Sequence, residues 1–237
     1  MGEFQTLLFE KQNRIASITL NRPRALNTYN LQMRDEMYQI LEAIASDTEI
    51  SVVVLKGTGE KGFCAGADLS EFLTAPSPII AREIRWLRDV WGHFLKLPQP
   101  LIAAVHGFVM GSGVEMTLCS DIRIATEDAR FGLPETRLGL IPVAGATQTL
   151  PREAGYSAAA DILFSARTID APEALRIGLI NRIVTREKLY PTAYEMAESI
   201  ASRNPACVRR MKQAVMRGLD LNLPKGLQLE RSLASLH

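Results

Sequence analysis

"PLIAAVHGFVMGSGVEMTLCSDIRIAT" (residues 100–126) decides the fold class. It opens on an unbroken apolar run, the pattern of a parallel strand buried on both faces rather than the alternation of a surface strand. "GSGVEMTLCS" then reads as a helix and "DIRIAT" as a further strand. Upstream, "SVVVLKG" (51–57) is another short β-branched run, and "IIAREIRWLRDVWGHFL" (79–95) between the two runs is helical in pattern. Strand and helix alternate, which argues an α/β fold.

Nearer the start, "FQTLLFE" and "IASITLN" flank the polar "KQNR" as a hairpin would, and deliver the chain to a basic loop, "RPRALN" (22–27). From Asn30 to Ala45 the apolar residues Leu31, Met33, Met37, Ile40, Leu41 and Ile44 recur at three- and four-residue steps, which predicts an amphipathic helix. Beyond "RFGLPETRLGL" (130–140), "SAAADILFSA" and "APEALRIG" read as short helices and "LINRIV" as a last strand. Three helices follow Tyr190, each opened by or near a proline, as first-turn prolines do. A division into residues 1–190 and a helical segment 191–237 results, with no convincing internal repeat.

The 237 residues carry 27 Lys plus Arg against 26 Asp plus Glu, a net charge of +1, with no stretch of five or six like charges. That balance speaks against nucleic acid or an anionic membrane as a partner, although "RNPACVRRMKQAVMR" (203–217) is a basic cluster best read as a solvated helix face. Cys64, Cys119 and Cys207 are odd in number and lack CxxC spacing, so reduced thiols in a cytoplasm are expected. No apolar stretch reaches the ~20 residues that cross a bilayer. "MGEFQTLLFEKQNR" lacks the basic start and apolar middle of a signal peptide, so a soluble, unprocessed chain is expected.

Several familiar chemistries fit poorly. "VVVLKGTGEKG" (52–62) places Gly57, Gly59 and Gly62 as GxGxxG after a strand, but no second strand with an acidic end follows about 20 residues on. The Lys-Ser/Thr of a P-loop is missing, since Phe63 follows Gly62. His93, His106 and His237 form no HExxH, and Ser112 lacks the flanks of GxSxG, so neither a metal nor a serine nucleophile is expected. Cys64 is read as a buried, inert thiol.

Two places remain. In "FCAGADLSEFL" (63–73) the small residues Ala65, Gly66 and Ala67 precede Asp68 and a short helical run, which puts the Ala67 amide near a helix start. In "GFVMGSGVEM" (107–116) the amide of Ser112 opens the helix that carries Glu115. Two such amides with glycine-lined approaches form a pair of donors for an oxygen that gains negative charge. Each carboxylate also has a structural reading. Ser112-x-x-Glu115 fits a capping box, and Glu135 after Pro134 fits an acidic first turn. The pair argues otherwise, because both stand in apolar, glycine- and proline-broken stretches where an unpaired carboxylate is costly.

"LNRPRALNTYN", "VVVLKGTGEKGFCAGADL", "LPQPLIAAVHGFVMGSGVEMTLCSDIRIAT", "RFGLPETRLGLIPVAGATQTLPREAG" and "APEALRIGLINRIV" resemble, in order, the signatures of the enoyl-CoA hydratase/isomerase (crotonase) superfamily, from about Leu20 to Val184. The resemblance implies a spiral of ββα units forming two near-perpendicular sheets, and a helical C-terminal segment that packs copies into a homotrimer or a dimer of trimers. It implies a coenzyme A thioester as substrate, with Arg24, Ala25, Leu26, Ala65, Asp68 and Leu69 near its nucleotide and pantetheine. The oxyanion hole carries over to the amides of Ala67 and Ser112, and the catalytic pair to Glu115 and Glu135. No metal and no cofactor beyond the substrate's own coenzyme A is implied.

The activity implied is hydration of a 2-enoyl-CoA thioester. Double-bond isomerisation and ring-modifying chemistry are the alternatives within the family, and a thioester-binding scaffold or an RNA-binding role the alternatives outside catalysis. The sequence departs from the family pattern at Ser112, which stands in Gly-Ser-Gly where three glycines are usual. It departs also at Val143 and Ala146 for glycines and at Thr149 for an arginine.

Overall fold

A computed structural model describes residues 4–71 and 87–235. The chain opens with β1 (Leu7–Gln12) and β2 (Ile15–Leu20), antiparallel with Gln12 opposite Ile15. Only Asn13 and Arg14 turn the corner, both with positive φ (49° and 68°), as a tight primed hairpin turn requires. Then come α1 (Leu31–Ser46), β3 (Val52–Gly57), β4 (Gly62–Cys64), α2 (Val90–Lys96), β5 (Leu101–Val105), β6 (Phe108–Met110) and α3 (Ser112–Leu118). The second half runs β7 (Ile122–Thr126), β8 (Arg130–Gly132), α4 (Ala146–Ala154), α5 (Tyr156–Ser165), β9 (Thr168–Asp170), α6 (Ala171–Arg176), β10 (Arg182–Val184), α7 (Leu189–Ala201), α8 (Pro205–Gly218) and α9 (Leu223–Ala234).

A six-stranded sheet has the order β1-β2-β3-β5-β7-β10, parallel from β2 onward, and a four-stranded sheet the order β4-β6-β8-β9. The chain passes three times from the large sheet to the small one, β3 to β4, β5 to β6 and β7 to β8. This is the ββα spiral, and its repeat is structural without being visible in the sequence. Every strand of the small sheet has three residues, too few for any periodicity, and the sequence patterns miss them.

The expected α1 starts where Asn30 caps it, its side chain accepting from the Met33 amide, and it buries Met33, Met37, Ile40, Leu41 and Ile44. Those residues pack with Ile18, Val53, Leu55, Leu101, Ala103 and Val105 from one face of the large sheet. The opposite face carries Val52, Val54, Ile102, Ala104 and Ile124, which α7 covers with Leu189, Ala193, Ala197 and Ala201. Both faces of the parallel strands are therefore closed, as their unbroken apolar runs demanded. The helical reading of residues 79–86 lies outside the described residues, and its continuation forms α2, capped by Asp89 on the Gly92 amide. Among the described residues no helix is long and apolar enough to cross a membrane.

Candidate active site

The candidate site is built from the loops that follow β2, β4 and β6. "RPRALN" folds as a 3-10 turn over Pro23–Ala25, followed by Leu26 and Asn27 at φ 51° and 55°. Asn27 tolerates that backbone and uses its fully buried side chain as a rivet: Nδ2 donates to the carbonyls of Thr58 (2.9 Å) and Gly62 (3.3 Å), and Oδ1 accepts from the Arg22 amide (2.8 Å). This loop lies along the one that follows β4. Ala65 N donates to Leu26 O (3.0 Å), Tyr29 N to Gly66 O (2.8 Å) and Asp68 N to Tyr29 O (2.9 Å).

Those bonds orient the first candidate amide. Gly66 C=O and Ala67 N–H belong to one planar trans peptide, so a carbonyl turned onto Tyr29 turns the Ala67 N–H the opposite way. The second amide is oriented by the same logic. Gly111 is the N-cap of α3, its carbonyl accepts from Glu115 N (3.0 Å), and the Ser112 N–H of that peptide points out of the helix start.

The two loops touch at the glycines that precede these amides. A Cβ built on Gly111 would stand 3.5 Å from Gly66 Cα, and one on Gly66 would stand 3.4 Å from the Met110 carbonyl oxygen. Closer still, a Cβ on Gly113 would meet the Cys64 carbonyl oxygen at 2.4 Å, so α3 rests directly on the loop that carries Ala67. Burial pushes the Cys64 thiol there up to about 12, which leaves it a packing residue rather than a nucleophile.

The carboxylates arrive from separate segments. Glu115, 4% exposed on α3, accepts at Oε1 from the amides of Ala144 (2.9 Å) and Ala146 (3.3 Å), ahead of and at the start of α4. The capping-box reading therefore fails: Gly111, not Ser112, is the N-cap, it has no side-chain partner, and Glu115 bonds to a distant loop. Glu135 lies in the first turn of the 3-10 helix Pro134–Leu138. Its Oε1 stands 3.0 Å from the position a Gly111 Cβ would take, and its Oε2 is buried with no hydrogen-bond partner among the described residues. Burial pushes its carboxyl above the usual range, opposite to what a dipole-stabilised first-turn acid shows. One acid, carried on α3, is thus held by amides at the entry of α4, while the other presses on the glycine at the entry of α3.

Of the residues expected near a ligand, Arg24 and Leu69 are exposed and Ala25, Leu26 and Ala65 partly so, around the two loops. Asp68 commits its carboxylate to Arg22 Nη2 (3.0 Å) and Ser70 Oγ (2.6 Å), with Ser70 and Arg22 both holding its carboxyl below the usual range. Sequence reasoning missed Arg22, Asn27, Gly113, Ala144 and Ala146. Only Asn27, a residue type that accepts left-handed backbone, carried a local signal. Among the described residues no cluster of His, Cys, Asp and Glu could hold a metal ion.

The model of the enoyl-CoA hydratase/isomerase family matches residues 10–236. The short-chain-enoyl-CoA hydratase of Clostridium acetobutylicum is 42% identical over 229 residues, covering 96% of this chain and 87% of that protein. The crotonyl-CoA hydratase of Syntrophomonas wolfei is 36% identical, covering 96% and 87%. The crystal structure of an enoyl-CoA hydratase from Bacillus anthracis superposes with a TM-score of 0.92 at 38% identity, covering 97% of this chain and 90% of that one.

Proposed function

Because the chain belongs to the enoyl-CoA hydratase/isomerase family, we propose that it adds water reversibly across the 2,3 double bond of an enoyl-CoA thioester. The observation that carries the reading is an unlike pair of carboxylates tied to one helix: Glu115, carried on α3 and bonded to two amides, and Glu135, desolvated against the N-cap Gly111 of that helix. Unlike surroundings let two carboxyl groups take different protonation states, which is what a base and an acid working together need.

The thioester oxygen is received by the N–H groups of Ala67 and Ser112. These polarise the carbonyl so that C3 becomes electrophilic and the enolate is stabilised, at roughly 3 kcal/mol for a well-placed donor. Glu115 holds the water and takes its proton as the water oxygen bonds to C3. Glu135 delivers its proton to C2, and in the dehydration direction the roles reverse. Arg24, Ala25, Leu26, Ala65, Asp68 and Leu69 form the approach for pantetheine and nucleotide, and no cofactor other than the substrate's coenzyme A takes part.

We also propose that residues 191–237 assemble copies into a trimer or a dimer of trimers. Met211, Val215, Leu219, Leu223 and Leu227 leave α8 and α9 apolar on the outside, which supports that reading. The free thiols of Cys64, Cys119 and Cys207 suit a cytoplasmic protein.

The test is loss of the conjugated absorbance of 2-enoyl thioesters over short, medium, long and alicyclic acyl groups, run beside Glu115→Gln and Glu135→Gln. Activity on part of the panel that each variant lowers by at least about a hundredfold is expected. Inactivity across the panel sinks the proposal. A Glu115→Gln variant with full turnover of a 3-enoyl thioester would instead assign isomerisation through Glu135 alone.

A further inference from the structure

We infer that Arg22 is a positioning residue for the oxyanion hole, stapling together the two strands whose bridge aims the Ala67 amide; the inference rests on Ala67 being one of the two donors.

The bridge itself is the isolated parallel pair Tyr29–Ala67, closed by one bond on each side, Tyr29 N to Gly66 O and Asp68 N to Tyr29 O. With Ala65 N to Leu26 O, these are the backbone bonds that join the two loops among the described residues, a short joint outside any longer ladder. Arg22 reinforces it from both sides at once. Nη1 donates to Thr28 O (2.6 Å) and Thr28 Oγ1 (3.1 Å), while Nη2 donates to Asp68 Oδ2 (3.0 Å). Thr28 and Asp68 are the immediate chain neighbours of the bridged pair, so one planar guanidinium ties residue 28 to residue 68 alongside the link of 29 to 67. A lysine ammonium has no such fork.

Arg22 is held in its turn. Its amide donates to Asn27 Oδ1, and Asn27 is riveted to Thr58 and Gly62 on the β3–β4 connection. The side chains of Arg22 and Asp68 are 22% and 16% exposed, so water competes little for the pair. Arg22 directs its side-chain bonds at residues 28 and 68. Its effect on the reaction therefore passes through the direction of one N–H, and a shift of well under 1 Å there matters, since a 1 Å misplacement costs on the order of a hundredfold in rate.

The experiment uses the whole chain and the coenzyme A thioester of 4-(dimethylamino)cinnamic acid, whose absorbance moves to longer wavelength as the carbonyl is polarised. Wild type, Arg22→Ala, Arg22→Lys and Asp68→Asn are compared for that shift, for kcat and KM on a 2-enoyl thioester, and for thermal melting. Arg22→Ala is expected to bind the probe with a smaller red shift and to lose at least about tenfold in kcat with KM little changed. Arg22→Lys, which can still pair with Asp68, recovers part of both. Folded Arg22→Ala and Asp68→Asn proteins with the wild-type shift and kcat would overturn the inference. Should Arg22→Ala fail to fold, wild-type behaviour of both Asp68→Asn and Arg22→Lys would overturn it just as well. A wild-type protein that binds the probe without any red shift would instead remove the donor assignment of Ala67 and Ser112 itself.

Discussion

Gly113→Ala is the sharpest perturbation the structure offers, because a single methyl group is set against the geometry of the proposed oxyanion hole. The added Cβ would lie 2.4 Å from the Cys64 carbonyl oxygen and 3.0 Å from Cys64 Cβ, about 1 Å short of ordinary contact. The nearest atom belongs to the backbone, so no side chain can swing away, and α3 must lift off the loop that runs from Cys64 to Ala67. Ser112 lies one residue before the clash and Ala67 three residues after Cys64, so the separation falls between the two donors. An opening of about 1 Å moves one N–H from about 3 Å to about 4 Å from the thioester oxygen, beyond hydrogen-bond reach. Loss of one such donor costs about 100- to 1000-fold in kcat. Overpacking itself costs about 1–3 kcal/mol, a fall in Tm of roughly 2–12 °C for a chain of this size. Steady-state kinetics on a 2-enoyl thioester at a temperature well below the lowered Tm reads the effect. Gly218→Ala, at the end of α8 with nothing within 4 Å of its added Cβ, serves as the control and is expected to keep wild-type kcat. A folded Gly113→Ala protein with wild-type kcat would refute the proposed role of the α3 contact.

The other predictions follow from buried polar groups. Glu135→Gln is expected to abolish hydration yet raise Tm, because burial raises the pKa of the Glu135 carboxyl and a carboxyl so shifted opposes folding at any pH above its unfolded range. Since that pKa is raised on folding, its cost is relieved as pH falls, and the gain in Tm should shrink in acid; a variant that melts lower than wild type at neutral pH contradicts this. Glu36 accepts from the amides of Gln5, Thr6 and Leu7 and from Thr6 Oγ1, so Glu36→Ala orphans a set of donors and should cost several kcal/mol, at about 1–3 kcal/mol per buried group, measured by urea unfolding. His106 is buried with Nε2 against the Gly59 carbonyl, and burial first, then the Arg186 charge, lowers its pKa to about 4. The unfolded chain binds that proton near 6.5 and the folded one only near 4, so stability should decline as pH falls through this window, by up to about 3 kcal/mol. His106→Gln should flatten that decline in urea midpoints, and an unchanged slope would count against the assignment.

What the sequence disclosed and what it withheld divide along the range of the interactions. The large sheet and α1 were legible because burial on two faces writes unbroken apolar runs and burial on one helix face writes a three-to-four repeat. The small sheet was not, since Gly62–Cys64, Phe108–Met110, Arg130–Gly132 and Thr168–Asp170 are each too short to hold a period and pair with residues tens of positions away. The capping box was a sound local reading that a tertiary contact displaced: the amides of Ala144 and Ala146 claim the Glu115 carboxylate, which a pattern of four residues has no means of showing.

The two loops of the candidate site were easier to pick out in the sequence than the small sheet, for a physical reason. Its proposed electrophilic groups are main-chain N–H bonds, so the side chains at Ala67 and Ser112 need only be small, and the demand falls on the glycines beside them. Those glycines answer two different requirements. Gly66 and Gly111 have φ of 106° and 47°, a backbone that disfavours any Cβ, and Gly113 has no room for one against Cys64. Small-residue clusters are visible in a string of letters, and they marked both loops. The staple that aims an amide is not, because Arg22 finds Asp68 at a separation of 46 residues through two loops whose meeting only the fold determines.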